Sequence, residues 1–376
     1  MLPFNYPLTL QVIAALAVAL IISLVATPPV KWFAERVGAI DVPKDNRRVH
    51  KTPIPRLGGL AIFIGFILSV VIFAEIDREV QGILLGALVI VTVGVVDDIV
   101  QMRAWQKFLG QIIAALIPVF HGVIIDLVSN PNIFALSDYL TLGYLSLPLT
   151  VLWIVGITNA VNLIDGLDGL AVGVSTISSL TMLIVALLVT ADGNVALILA
   201  ALAGACLGFM PYNLNPAKIF MGDTGALLLG YLLATMSIQG LFKFYAVISF
   251  AVPFVALALP ILDTSFAILR RVLKGKSPME PDRGHFHHRL LDLGFSQKQA
   301  VFIIYLISGF LGMIAVIMTS SGQIRVIFTL LAFLVVLIFV FAALRGPLAS
   351  KRGEKKPNPE ADNHVETEKG DEDEAD

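Results

Sequence analysis

The stretch "NAVNLIDGLDGLAVG", residues 159–173, places two amides, Asn159 and Asn162, and two carboxylates, Asp165 and Asp168, inside a chain too apolar for water. Of its 376 residues, 57% are hydrophobic and 14% charged, with a mean hydropathy of +0.86. A soluble domain is nearer about 45–50% apolar and 25% charged. The chain reads as an integral membrane protein, so the depth of the polar stretch becomes the question. An aspartate at the centre of a membrane helix costs about 2.5–3.5 kcal/mol. Burying Asp97, Asp98, Asp165, Asp168 and Asp223 in lipid would therefore cost roughly 15 kcal/mol, as much as a typical domain's whole stability of about 5–15 kcal/mol. These groups are expected to line a wet cleft at the membrane edge, neutralised by cations.

Apolar runs long enough to cross about 30 Å of hydrocarbon as helices occur at 8–30, 58–75, 80–96, 108–127, 146–161, 170–190, 195–211, 225–240, 245–269, 299–319 and 324–344. The fold class is all-α, with about eleven transmembrane helices in a single membrane-embedded domain, residues 1–345. Residues 346–376 form a charged tail of the composition that stays disordered. No lysine or arginine precedes the first run, and that run exceeds a signal-peptide core of about 7–15 residues, so it reads as an uncleaved span. With the N-terminus outside and the C-terminus cytoplasmic, all of the 26 lysines and arginines except Arg78, Lys243 and Arg325 fall on the inner side, as the positive-inside rule requires. Cys206 is the single cysteine, which leaves no intrachain disulfide and no thiolate cluster, and it reads as packing.

In this orientation five polar segments share the cytoplasmic face: the basic loop "DVPKDNRRVHKTPIPRLGG", "VDDIVQMRAWQK", "NAVNLIDGLDG", "PYNLNPAKIFMGDTG" and "KGKSPMEPDRGHFHHRL". The outer connections "EIDRE", "TADGN" and "TSSGQ" hold nothing resembling a site. Each segment has a plain structural reading. The pair Asp97–Asp98 suits a helix end, Asp223 a helix cap, the basic loop a topology signal or a contact with anionic lipid, the histidines a surface loop, and Asp263 a lock between helices near Arg270. Their joint occurrence on one face favours chemistry. Carboxylates and amides are hard oxygen ligands for Mg²⁺, which takes one or two protein oxygens and substrate phosphates. Lysine and arginine suit phosphate oxygens, and phosphoryl transfer needs mainly positioning and charge stabilisation.

Over residues 8–345 the chain resembles the polyprenyl-phosphate N-acetylhexosamine-1-phosphate transferases, a glycosyltransferase family 4 type. The resemblance rests on "RRVHKTPIPRLGG", "VDDIVQ", "NAVNLIDGLDGLA", "NLNPAKIFMGDTG" and "HFHHRL" in that order. It implies an enzyme of the bacterial cytoplasmic (inner) membrane with Mg²⁺ as cofactor, Mn²⁺ substituting. The reaction implied is transfer of GlcNAc 1-phosphate from UDP-GlcNAc to undecaprenyl phosphate with release of UMP, the first membrane step of a surface glycan. The resemblance makes Asp223 the principal metal ligand with Asn162 beside it, and Asp97, Asp98, Asp223 and Lys107 the catalytic set. It gives Asp165, Asp168, Asn213 and Phe220 to the nucleotide, and Lys51, Arg56, Asn159, His285, His287, His288 and Arg289 to phosphate or sugar. The partners implied are the two substrates and the bilayer, with no nucleic acid and a homodimer left open. Gln101, where MraY-type relatives carry lysine, and Arg289 after the histidines place the chain on the WecA and TagO branch, although Gln101 also departs from that branch's third aspartate. The alternatives are a phospho-MurNAc-pentapeptide transferase of the MraY type and, in another class, a secondary transporter. A transporter is disfavoured by the lack of an internal repeat and by the one-sided polar clusters.

Overall fold

The computed structural model describes residues 7–43, 52–129, 139–189, 193–242, 252, 254–273, 275, 285–320, 322–332 and 334. In chain order the helices are α1 (Leu8–Arg36), α2 (Gly59–Phe73), α3 (Arg78–Val100), α4 (Ala104–Phe120), α5 (Ser146–Ile164), α6 (Leu170–Val189), α7 (Gly193–Asn213), α8 (Gly222–Ser237), α9 (Ala258–Leu273), α10 (Phe286–Asp292), α11 (Gln297–Thr319) and α12 (Gly322–Ala332). Helix α8 runs on through a π turn, Ile238–Phe242. Six helices, α1, α3, α5, α6, α7 and α11, are long and apolar enough to cross a membrane; α2, α4 and α12 are shorter apolar helices. The result is an all-α multi-pass membrane protein. Each expected span has a described helix within it, although the first part of 245–269, the last part of 324–344 and the tail lie outside the described residues.

One expectation needs correction. The run 108–127 is helical only as far as Phe120: Gly122 adopts φ +105°, which stops the helix, and Leu127–Ser129 pairs with Tyr139–Thr141 as an antiparallel ribbon. A second ribbon, Ile40–Asp41 with Ile54–Pro55, precedes α2. The two connections 37–58 and 121–145 thus carry a little β-structure that an apolar-run count passes over.

Packing follows membrane rather than aqueous logic. On α1 the buried face between Val12 and Val30 is built of small residues, Ala15, Ala19, Ser23 and Thr27 at every fourth position, while Ile13, Ile21 and Val25 face outward at 59%, 56% and 66% exposure. With lipid as solvent there is no hydrophobic gain in burying the large residues, so close approach of small ones holds the helices together. Glycine makes the same contact from α7, where a Cβ at Gly204 would stand 2.1 Å from the Leu16 carbonyl oxygen and one at Gly208 2.2 Å from that of Leu20. Helix α8 is the axis of the bundle: every residue from Thr224 to Ser237 is buried, and α2, α3, α5 and α6 pack around it. A helix apolar on all sides belongs in such a place.

The two ends of the bundle differ in chemistry. At one end Glu75 and Asn194 exchange hydrogen bonds of 2.8 and 2.9 Å, and Arg78 Nη2 donates to the Phe120 carbonyl at 3.1 Å. The other end gathers the segments before α2, after α3, between α5 and α6, before α8 and around α10.

Candidate active site

Those segments enclose a cleft of about 410 Å³, lined among others by Arg56, Asp98, Asn162, Asp165, Asp168, Asn213, Phe220, Asp223, His288 and Gln297. Its polar wall begins where α5 ends. Residues Asp165–Gly169 break the chain between α5 and α6, with Gly169 at φ +79°, and Asn162 is left on the last turn of α5 facing Asp223 on the first turn of α8. The Asn162 amide donates to Asp223 Oδ1. Lys107 Nζ, from the first turn of α4, lies 2.8 Å from Asp223 Oδ1 and 3.2 Å from Asp97 Oδ2, and also donates to Asn162 Oδ1 at 3.5 Å. Three residues from three helices, Asn162, Lys107 and Asp97, therefore converge on the Asp223 carboxylate of a fourth. Asp97 and Lys107 are not part of the cleft lining and approach it from beyond Asp223.

The remaining cleft residues are held by the backbone. Phe220 N donates to the Pro55 carbonyl at 2.8 Å and its own carbonyl accepts from Gly58 N at 3.0 Å, which fixes the ring-bearing loop against the chain entering α2. Asn213 is used at both ends: its oxygen accepts from Gly169 N at 3.1 Å and its amide donates to the Ile219 carbonyl at 3.1 Å. Asp168 Oδ2 accepts from Asn215 Nδ2 at 2.9 Å and Ala217 N at 3.1 Å, and Asn215 Nδ2 also donates to Gln297 Oε1 at 2.7 Å. Asp165 borders the cleft with no such partner among the described residues. Burial, foremost, and then the carboxylates of Asp223, Asp98 and Asp168 push it up to about 8, where a cation or a hydrogen-bond donor from a ligand would be welcome.

Four expected site residues have other occupations. Asn159 lies nearly one helical turn before Asn162 and pairs with Gln111 of α4, its amide donating to Gln111 Oε1 at 2.5 Å while its oxygen accepts from Gln111 Nε2 at 3.3 Å. It joins α4 to α5 outside the cleft. His285 Nδ1 meets Asp263 Oδ2 at 2.8 Å, and Phe286 N donates to Asp263 Oδ1 at 2.7 Å, so Asp263 seats the start of α10 on α9. The His287 ring lies over Gly166, where a Cβ would come within 2.5 Å of Nε2. Burial, with His288 adding to it, pushes His287 down to about 4 and keeps it neutral at neutral pH. Of the three histidines only His288 lines the cleft. Arg289 instead borders an apolar groove of about 590 Å³ between α9, α10 and α11, with Arg270, Leu262 and Phe266. Lys51 lies outside the described residues.

Motif reading passed over Gln297, which lines the cleft, and Asn215, which bonds both Gln297 and Asp168. Gln297 opens α11 just after Ser296, which with Gln299 forms a capping box; that S-x-x-Q signal marks a helix start but says nothing of a cleft.

Among the described residues no three His, Cys, Asp or Glu side chains are grouped to hold a metal ion. Mg²⁺ needs only one or two protein oxygens when phosphates supply others. The donor set fits that demand: Asp223 and Asn162 offer hard oxygens side by side, and the carboxylates of Asp97, Asp98, Asp165, Asp168 and Asp223 outnumber the neighbouring Arg56 and Lys107.

Residues 80–241 match glycosyl transferase family 4. Over 348 residues the chain is 42% identical to the probable undecaprenyl-phosphate N-acetylglucosaminyl 1-phosphate transferase of Bacillus subtilis (strain 168), covering 91% of this chain and 94% of that protein. It belongs to glycosyl transferase family 4. Other relatives in the family are a decaprenyl-phosphate N-acetylglucosaminephosphotransferase of Mycobacterium tuberculosis (strain CDC 1551 / Oshkosh), 39% identical over 77% of this chain and 78% of that protein, and a phospho-N-acetylmuramoyl-pentapeptide-transferase of Heliobacterium modesticaldum, 34% identical over 72% and 86%. The family match begins in α3 and ends in the π turn after α8, and so takes in Asp97, Lys107, Asn162 and Asp223.

Proposed function

We propose that this family 4 transferase moves GlcNAc 1-phosphate from UDP-GlcNAc to a polyprenyl phosphate such as undecaprenyl phosphate, releasing UMP and leaving a polyprenyl-diphosphate GlcNAc. The observation that carries the reading is the convergence of Asn162, Lys107 and Asp97 on Asp223 at the border of a cleft whose other walls carry Phe220 and Asp168. A nucleotide diphosphate-sugar has parts to match each. Phe220 offers a ring face to uracil. Asp168, whose Oδ2 is already engaged, has a second oxygen for a base N–H. Arg56 in the cleft wall and Lys107 behind Asp223 supply positive charge for anionic oxygens, and His288 in the same wall is available to the sugar phosphate.

In the reaction an oxygen of the acceptor phosphate attacks the β-phosphorus of the donor. The bond from that phosphorus to the oxygen bridging to the α-phosphate breaks, and the electron pair leaves with UMP. A phosphate monoester has a second pKa of about 6, so the nucleophile is mostly ionised at neutral pH. The protein's work is then to align two anions and offset their charge. Lys107 pairs with the Asp223 carboxylate at 2.8 Å, and Asp97 holds Lys107 from the other side. Asp223 and Asn162 would hold Mg²⁺, which when bound offsets charge on the diphosphate and on the departing UMP; Mn²⁺ accepts the same hard donors. The apolar groove edged by Arg270 and Arg289 suits an isoprenoid chain with its anionic head at the basic end. Eleven spans, an outer N-terminus and an active site on the cytoplasmic face of the inner membrane complete the reading, supported by the segregation of lysine and arginine.

The test is turnover by the purified protein in detergent with undecaprenyl phosphate, Mg²⁺ and, in parallel, UDP-GlcNAc or UDP-MurNAc-pentapeptide. UMP and a lipid-linked sugar are expected from UDP-GlcNAc alone. Product from the pentapeptide donor only would move the protein to the other branch of its family.

A further inference from the structure

The adjacent carboxylates Asp97 and Asp98 have different surroundings, and the difference turns on how α8 begins. A helix leaves its first backbone N–H groups without partners, and a side-chain oxygen at the N-cap normally accepts one of them. The N-cap of α8 is Met221, whose side chain makes no capping bond. The missing acceptor comes from another helix. Asp98, on the last turn of α3, accepts from Asp223 N at 3.0 Å through Oδ1, and from Thr224 N at 2.9 Å and Thr224 Oγ1 at 2.6 Å through Oδ2. It is 1% exposed. Arg56 closes the arrangement, with Nη2 donating to the Asp98 carbonyl at 2.8 Å and Nε 3.9 Å from Oδ1.

Glycine makes room for this contact from three sides. Gly222 has φ +71°, and a Cβ there would lie 2.4 Å from Asp98 Oδ2; one at Gly94 would lie 2.4 Å from Thr224 Cα; one at Gly59 would lie 2.1 Å from Gly225 N. Helices α2 and α3 thus press directly on the first turn of α8. Asp97 by contrast has one oxygen on Met102 N at 2.7 Å and turns the other toward Lys107 at 3.2 Å.

We propose that the two aspartates divide the work: Asp98 is a positioning residue that caps α8 from across the bundle and thereby sets where the Asp223 carboxylate points, and Asp97 alone of the pair serves the reacting groups through Lys107. For the enzyme this rests on the transferase reading. The capping itself is a property of the folded chain and is tested apart from turnover.

Hydrogen exchange on the full-length protein in detergent, read on peptides covering residues 221–226, addresses the cap. Asp98→Asn keeps the shape and one acceptor oxygen but turns its NH₂ toward a donor on the other side, so exchange should quicken about 10- to 100-fold at whichever of Asp223 and Thr224 loses its acceptor, as for loss of a hydrogen bond to a charged group. Asp97→Asn should leave these amides as in the wild type. Thr224→Val should quicken them in part, and Thr224→Ser, which restores the hydroxyl, should return them to wild-type protection. In turnover the Mg²⁺ concentration for half-maximal rate should rise about tenfold or more in Asp98→Asn, with much of the rate regained at saturating Mg²⁺, whereas Asp97→Asn should stay slow at every Mg²⁺ concentration. Equal protection of residues 223 and 224 in the wild type and Asp98→Asn would overturn the cap. If the cap holds, an identical Mg²⁺ response in the two variants would overturn the division of labour. A wild type that turns over neither donor would defeat the transferase reading and leave the exchange result to decide the cap.

Discussion

Asp223 is the residue on which the account depends, because Asn162, Lys107 and Asp97 all meet there. Replacing it with alanine should lower turnover by about 10²–10³-fold or more, the usual cost of losing an electrostatic contact made in the transition state, with the protein still folded by circular dichroism. Asn159 gives the opposite forecast. Its amide pairs with Gln111 away from the cleft, so Asn159→Ala should cost about 1–3 kcal/mol of stability by leaving Gln111 buried without its partner, seen as a lower melting temperature in detergent, while KM for UDP-GlcNAc stays as it was. The contrast shows how far the sequence could be read at this scale. Asn159 and Asn162 are three positions apart in one polar motif, and both carry the chemistry of a ligand. Only the break after Ile164 and the packing of α4 decide that one faces the cleft and the other Gln111. His285, His287 and Arg289 were indistinguishable from His288 for the same reason: a short helix seated on its neighbours turns each side chain a different way.

At the scale of elements, α10 is seated through two histidines, and pH reaches it through His287. Its folded pKa of about 4 lies below the ordinary value of 6.5, so between these values the unfolded chain holds the extra proton. Stability from this residue is therefore complete above about 6.5, is lost as pH falls through the window down to about 4, and is flat below it; the whole effect is on the order of 3 kcal/mol. Melting curves between pH 7.5 and 4.5 should show this slope in the wild type and a shallower one in His287→Gln. The groove between α9, α10 and α11 makes a separate prediction. Phe266→Ser, placed among its apolar lining, should raise KM for the polyprenyl acceptor several-fold and leave KM for UDP-GlcNAc unchanged. The helices themselves were legible in the sequence, because long apolar runs admit little else in lipid. Their ends were less so: α4 stops at Phe120 where Gly122 turns, and the two ribbons rest on loop pairings that no apolar count registers.

For the whole molecule, the arrangement brings polar segments from distant parts of the chain to one end of the bundle. What could not be read was the axis. Helix α8 is 16 residues long, with a hydrophobic run resembling the others, yet it is buried on every side and its first turn carries Asp223. Orientation is open to direct test, because the lone Cys206 is buried and leaves a quiet background. In intact cells a membrane-impermeant maleimide should label Ile76→Cys, at the end that holds Glu75 and Arg78, and should reach Lys218→Cys only after the membrane is opened. The reverse pattern would invert the topology.

The central claim is that a sugar phosphate, not a sugar, leaves the nucleotide at Asp223. The most direct measurement supplies UDP-GlcNAc labelled with ³²P at the β-phosphate, together with undecaprenyl phosphate and Mg²⁺, to the purified protein and to Asp223→Ala, and follows the label. The account predicts that label passes into the lipid fraction as unlabelled UMP appears, and that it stays in the donor with the variant. Label retained in UDP while GlcNAc alone reaches the lipid, or released as free phosphate, would contradict it.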